Sequence, residues 1–333
     1  MIKTISKLST LALLSLALVA CGDDINSAKK EGAEKLRVAS WSQPITEQTN
    51  ILAENKDFFS KQNMEIKFIP GAGGGDAIKN IASGKADIAF TDPGSLFSAL
   101  DKGEKLIALY DIYPRNVFNV VSLKESNITK PEDLKGKKIG VYSLSSGTRQ
   151  NLLVLLNKAG LTEDDVEIIE TGVLNFAPLM QGQVDATAAT DTGLATGKAK
   201  GLGDVEVMEV KDYFNYSSDL FVVTEKTYEQ KKDELYAFLE GYKASVKWMM
   251  ENTEEAAKLA VKYAIDGKNE AHNVKIIELR NASSLPLSND VAELGLMSLS
   301  NLQNAADMYY ELGIISQKLN LTPVVNKKYM LTK

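Results

Sequence analysis

The stretch Gly84-Lys85-Ala86-Asp87-Ile88-Ala89-Phe90-Thr91-Asp92 decides the fold, because it recurs as Gly182-Gln183-Val184-Asp185-Ala186-Thr187-Ala188-Ala189-Thr190-Asp191. In both copies a glycine ends a helical segment, an aspartate follows three residues later, and a short apolar run ends in Thr-Asp. The apolar run reads as a buried strand, and Thr-Asp as the start of the next helix. The copies lie roughly 100 residues apart, far beyond a solenoid repeat, so two similar α/β units are expected.

The likeness extends outward. Leu36-Arg37-Val38-Ala39-Ser40-Trp41 and Lys138-Ile139-Gly140-Val141-Tyr142 are opening strands, each followed by a polar loop. A helical stretch comes next, with Ile51, Leu52, Phe58 and Phe59 as core candidates in one copy and Leu152, Leu153, Leu155 and Leu156 in the other. Second strands follow at Met64–Ile69 and Val166–Glu170. A third correspondence pairs Phe118–Lys124 with Leu220–Lys226, two β-branched runs that read as crossover strands forming a hinge. The expected fold class is α/β, two-lobed, with lobe 1 at 36–121 plus 225–333 and lobe 2 at 122–224. C-terminal helices complete it: Leu235, Phe238, Leu239, Tyr242 and Val246 form one apolar stripe, and Ala256, Leu259, Ala260 and Tyr263 continue it. A helix is also expected over Val291–Leu312, capped by Asn289 or Asp290 and stopped by Gly313.

Composition narrows the chemistry. The chain has 333 residues and a net charge of −6. Loss of a leader carrying Lys3 and Lys7 takes this to −8, which argues against a nucleic-acid partner. His272 is the one histidine and Cys21 the one cysteine. Nucleophile–histidine devices and zinc sites need more, so no catalytic residues, metal or cofactor are expected. His272, in a polar stretch, reads as a solvated surface position.

The N-terminus reads as an export signal. Lys3 and Lys7 precede an apolar core, Leu8–Val19, too short to span a bilayer permanently. Leu18-Val19-Ala20-Cys21 resembles the bacterial lipobox, in which cleavage exposes a cysteine that is lipidated. Residues 1–20 are the expected signal peptide and 21–35 a lipidated, flexible tether.

The body resembles the ABC-importer periplasmic binding proteins (type II), in the branch serving nitrate, sulfonates, taurine and thiamine-pyrimidine precursors (NMT1/THI5-like). The resemblance is carried by Gly71–Asp76, Ala82–Phe90, Asp133–Val141, Gly182–Ala186 and Ala244–Ala257, in that order. It implies a monomeric protein that traps a small solute between two lobes, is tethered to a membrane facing the periplasm or cell surface, and delivers the solute to a permease and its ATPase. A sensor partner is the alternative role. The pyrimidine synthases that share the fold would need a histidine and a cysteine-rich stretch, whereas this chain has His272 alone and no free cysteine.

Ligands of open α/β sheets bind at the carboxyl ends of strands, which nominates four loops. Trp41 and Gln43 lie in the first, where Trp41 either stacks on a planar ligand or packs in the core. Thr91, Asp92 and Ser95 lie in the second, where Asp92 is a helix cap, a ligand contact or both. Ser143, Ser145, Ser146 and Thr148 make a hydroxyl-rich cradle at a helix start. Asp191 lies in the fourth loop, and Tyr113 and Asn116 precede the first crossover. Gly71–Asp76 reads as a tight turn whose Asp76 caps the next helix, not as a nucleotide loop. Stacking groups beside carboxylates suit a polar heteroaromatic better than a small anion, and Gly73–Ser122 also resembles thiamine-pyrimidine binders more than sulfonate binders.

If Cys21 carries the anchor, Cys21→Ser abolishes metabolic lipid labelling and either frees the protein from membranes or leaves its leader uncleaved. Unchanged labelling removes the lipoprotein assignment.

Overall fold

The computed structural model describes residues 34–41, 52, 56–172, 175–262 and 268–331, with backbone alone at Trp41. The expected leader, Cys21, Gln43, Ile51 and Tyr263 lie outside them.

Strands β1 (Glu34–Trp41), β2 (Met64–Gly71) and β3 (Ile88–Thr91) are parallel, with β1 in the middle. β1 takes in Glu34 and Lys35, which the sequence reading gave to the tether. The sheet continues through β10 (Asp219–Thr224), antiparallel to its neighbours, to β4 (Leu106–Tyr113), giving the order β2-β1-β3-β10-β4. The second sheet has the same plan: β7 (Glu167–Glu170), β6 (Lys138–Val141), β8 (Ala186–Thr190), β5 (Phe118–Leu123) and β9 (Val205–Glu209). Again the first three are parallel and the inserted strand, β5, is antiparallel.

The inserted strands are exchanged. β5 follows β4 in the chain but joins the second sheet, and β10 follows β9 but joins the first. They are the two crossover runs expected from sequence, although the changes of sheet fall just ahead of them, in residues 114–117 and 213–218. Hydrogen bonds tie these two crossings together. Ser218 N donates to Tyr113 O at 2.8 Å, Ser218 Oγ donates to Arg115 O at 2.6 Å and accepts from Val117 N at 2.9 Å. Asn116 Nδ2 donates to Phe214 O at 3.0 Å and to Asn151 Oδ1 at 2.8 Å.

β3, β4, β5, β8 and β10 are covered on both faces and buried nearly throughout, whereas β2, β7 and β9 keep half-buried or exposed polar positions. In β10, Leu220 and Val222 enter one core cluster while Phe221 and Val223 enter another. In β5, Val120 and Val121 divide the same way. Helices α1 (Gly74–Ala82), α2 (Pro93–Asp101), α3 (Gly147–Lys158), α4 (Ala177–Met180) and α5 (Asp191–Ala199) follow strands. After β10 come α6 (Glu225–Gln230), α7 (Lys232–Glu251), α8 (Thr253–Ala260), α9 (Glu270–Ser284) and α10 (Leu299–Glu311). The α7 stripe buries fully, with Tyr242 edge-on to Phe221 at 4.8 Å between ring centroids.

Two local expectations change. The helix expected over 291–312 begins at Leu299, capped by Ser298, whose Oγ accepts from Asn301 N. Gly295 breaks it: its φ is +83°, its carbonyl accepts from Asp111 N, and a Cβ there would collide with the Tyr110 ring. Asp76 does not cap α1. Gly73 holds the cap position, and Asp76 Oδ2 accepts from Ala72 N at 3.1 Å, closing the loop backwards.

Asp111, in β4, is 5% exposed and meets the second crossing through Ser217, whose Oγ donates to Oδ2 at 2.6 Å. Burial raises its pKa from 3.8 to about 7, against the opposing Ser217 bond. Below the unfolded value both states are protonated and the cost vanishes. Between there and pH 7 the folded state keeps a proton the unfolded chain has released, so stability falls as pH rises. Asp111→Asn, nearly isosteric and neutral, is therefore expected to stabilise the protein at pH 8 by up to about 4 kcal/mol, with the gain disappearing near pH 4. Urea unfolding at the two pH values reads this difference.

Candidate functional site

The recurring aspartates set up the site. Asp87 accepts from Arg37 Nε and Nη2, each at 2.9 Å, and from Arg37 N at 2.9 Å, while its own N–H donates to Arg37 O at 2.8 Å. Lys231 adds a bond at 3.1 Å. Burial opposes ionisation of Asp87, but these partners outweigh it and hold the pKa below the usual value. Asp185 clasps the first strand of the second sheet, its carboxylate accepting from Lys138 N at 2.8 Å and its own N–H donating to Lys138 O at 2.8 Å. Gly84 and Gly182, at φ +73° and +68°, supply the left-handed turn before each aspartate. The clamps align β3 with β1 and β8 with β6, so Thr91-Asp92 and Thr190-Asp191 emerge at carboxyl ends where helices begin.

Between these ends lies a cavity of about 300 Å³, within the range of small-molecule sites. Phe90, Tyr113, Phe118 and Phe176 supply aromatic wall, and Asp92, Asn175, Thr192, Asp219 and Arg280 supply polar groups. Asp92 is 2% exposed and caps α2, accepting Ser95 N and Ser95 Oγ at 2.8 Å each. Burial pushes its pKa up, against those bonds. Burial, and then the Asp92 charge, keep the neighbouring Tyr309 hydroxyl well above its ordinary value, hence un-ionised. A buried carboxyl of this kind binds a donor-bearing ligand edge more strongly than an exposed one, because water does not compete.

Arg280, on α9, is 2% exposed. Nη1 meets Asp191 Oδ1 at 3.0 Å, Nη2 meets Thr192 Oγ1 at 2.8 Å, and the guanidinium lies 4.9 Å from the Tyr113 ring centroid.

Of the residues nominated from sequence, Asp92, Tyr113, Ser146 and Thr148 come together on the cavity. The others are placed beside it in different ways. Thr91 and Ser95 are buried against Asp92. Ser143 Oγ donates to Ala72 O, and Ser145 O accepts from Gly75 N at 2.9 Å, so these two hold the 71–76 loop. Asn116 braces the crossing. Asp191 turns to Arg280 and to Ser283, whose Oγ is 3.2 Å away. The Trp41 side chain and Gln43 lie outside the described residues. His272 is half-buried, not solvated, with Nε2 3.3 Å from Thr196 Oγ1. Arg280, Asn175, Phe176 and Asp219 were not nominated. Arg280 carried a signal: it falls four residues after the buried Ile276, a charge on the apolar side of its helix.

The NMT1/THI5-like family model matches residues 48–256. A Haemophilus influenzae protein named for thiamine biosynthesis is 28% identical over 81% of this chain and 84% of its own. The formylaminopyrimidine-binding protein of Halalkalibacterium halodurans is 22% identical over 75% of this chain and 76% of its own. The 4-amino-5-hydroxymethyl-2-methylpyrimidine phosphate synthase of Schizosaccharomyces pombe is 20% identical over 66% and 67%. In structure, the periplasmic aliphatic sulphonate binding protein SsuA of Escherichia coli superposes with a TM-score of 0.65 at 17% identity, covering 89% of this chain and 98% of its own. The fold is therefore that of the periplasmic binding proteins.

Gly74 lets α1 pack against Asp92. An added Cβ would meet Asp92 Oδ2, with Thr91 Oγ1 at 2.7 Å and Asp92 N at 2.8 Å. Gly74→Ala is expected to destabilise the protein by about 1–3 kcal/mol, seen as a fall in Tm. Gly203→Ala, where nothing lies within 4 Å, is expected to leave Tm nearly unchanged.

Proposed function

Because this chain belongs to the NMT1/THI5-like family, we propose that it is an exported solute-binding lipoprotein of an ABC importer. It holds a small nitrogen heterocycle of the aminopyrimidine kind and presents it to a permease and its ATPase. One observation carries the ligand class: the buried Asp92, its carboxyl bonded to Ser95, lines the same cavity as the rings of Phe90, Tyr113 and Phe118. Rings stack on a planar heterocycle, and a desolvated carboxyl pairs with its amino edge. The relative named for binding formylaminopyrimidine agrees with this chemistry.

The two lobes divide along the two sheets, with the crossings at 114–117 and 213–218 as the hinge. A solute touching both sides stabilises the closed form by its differential affinity. Binding without catalysis is supported by the residue inventory. One histidine and one cysteine, the latter in the leader pattern, leave little for the chemistry of the synthase relatives. Tethering at Cys21 keeps the trap close to the permease and raises its effective concentration there. No helix among the described residues is long and apolar enough to cross a membrane.

Thermal shift on the chain from residue 22 onward tests the reading. 4-Amino-5-hydroxymethyl-2-methylpyrimidine or formylaminopyrimidine, at about 100 times Kd, is expected to stabilise the folded state by about 2.7 kcal/mol. Asp92→Asn is expected to weaken that binding about tenfold, the worth of one charge-assisted bond. Stabilisation by nitrate or alkanesulfonates alone removes the heterocycle assignment, and stabilisation by no small solute removes the binding role.

A further inference from the structure

We propose that α9 is a closure latch, with Arg280 coupling occupancy of the cavity to closure of the cleft. The proposal rests on the two-lobed reading above and adds to it the residues that hold the closed form. α9 belongs to the C-terminal helices, where it packs on α7, α8 and the β4 strand of the first sheet, yet it also packs on α5 of the second sheet. Three side chains along it reach α5. Arg280 takes Asp191 and Thr192 at 3.0 and 2.8 Å, Ser283 Oγ takes the other Asp191 oxygen at 3.2 Å, and His272 Nε2 lies 3.3 Å from Thr196 Oγ1. These contacts run down one face of both helices, with Asp191 at the first turn of α5, where a carboxylate is also favoured by the helix dipole.

The opposite rim is closed as well. Gly75 N donates to Ser145 O at 2.9 Å, and Ser143 Oγ donates to Ala72 O, joining the loop after β2 to the loop after β6. The cavity thus lies between two sets of direct bonds from one sheet's elements to the other's. The Ser143–Ser145 rim is made of neutral bonds between loops. The α9 rim contains an ion pair whose arginine is almost wholly buried, and its geometry is the more demanding, since a guanidinium left buried without its carboxylate costs far more than a lost neutral bond. That asymmetry makes the α9 rim the more demanding of the two to break and remake.

Arg280 also belongs to the cavity. Its guanidinium lies over the Tyr113 ring at 4.9 Å and forms part of the lining. A solute seated on Tyr113 therefore packs against the same group that pairs with Asp191, and it favours the position in which the latch is made. Arg280 acts as a positioning residue, coupling ligand and closure through one side chain.

Ligand-free protein tests this first, by small-angle scattering and hydrogen exchange on the chain from residue 22 onward; Gly32–Lys333 forms one compact unit. Asp191→Asn is expected to enlarge the radius of gyration and to raise exchange at least about fivefold in residues 191–199 and 142–148, with the global urea midpoint recording whether the fold is intact. Arg280→Lys, which keeps the charge but loses the two-pronged geometry, is expected to do the same, and the double variant to add little to either single change. Apparent affinity for the pyrimidine probe is expected to fall by the factor by which the closed fraction falls. Unchanged scattering and exchange in both variants overturn the latch, as does weaker binding with closure unaltered, which makes the two residues plain ligand contacts. Opening in both variants with no pyrimidine bound by the parent chain upholds the latch and rejects the ligand assignment instead.

Discussion

Asp87 and Asp185 are the constraint on which the site depends. Each closes a left-handed glycine turn and clasps the first strand of its sheet, Asp87 through Arg37 and Asp185 through the Lys138 backbone. Each therefore dictates the register of the strand that follows. With that register set, Thr91-Asp92 and Thr190-Asp191 leave their sheets at equivalent points, and helices α2 and α5 begin there, capped by Asp92 Oδ1 on Ser95 N and by Thr190 Oγ1 on Gly193 N. The two clasps differ in strength. Asp87 is a buried carboxylate held by two cations, while Asp185 relies on backbone partners.

The parts of the cavity are held in different ways. Asp92 is held by Ser95, and Phe90 and Tyr113 stand on β3 and β4, deep in a core shared with Phe221 and Tyr242. Across from them, Arg280 and Thr192 meet through side chains alone. Exchange of β5 and β10 between the sheets makes two short crossings the covalent link between the halves, and Ser218 knits those crossings into one unit.

Much of this was legible in the chain. The duplicated Gly-x-x-Asp and Thr-Asp signals located β3 and β8, and the β-branched runs at 118 and 220 proved to be equivalent strands. The α7 stripe buried as its spacing required. Asp92 as a helix cap followed from Asp-Pro at a strand end. Other features were illegible for identifiable reasons. Gly295 stops a helix that local propensity would extend, because the Tyr110 ring and Asp111 N–H come from a strand far away in sequence. Asp76 had the right position to cap a helix but turns back to Ala72, and several backbone donors compete for such a carboxylate.

By itself the sequence determined the elements whose causes are local: period, turn glycines, caps and the repetition that makes two like units. It also set the inventory, one histidine and one cysteine, that bounds the chemistry. The tertiary structure alone decided which side chains meet. Arg280 reaches Asp191 and Tyr113 only because a C-terminal helix returns across the first sheet to the second, and no spacing in the chain encodes a contact between residues 89 positions apart. Burial then turns such meetings into chemistry, since Asp92 and Arg280 acquire their strength from the exclusion of water, and that depends on what the rest of the chain packs around them.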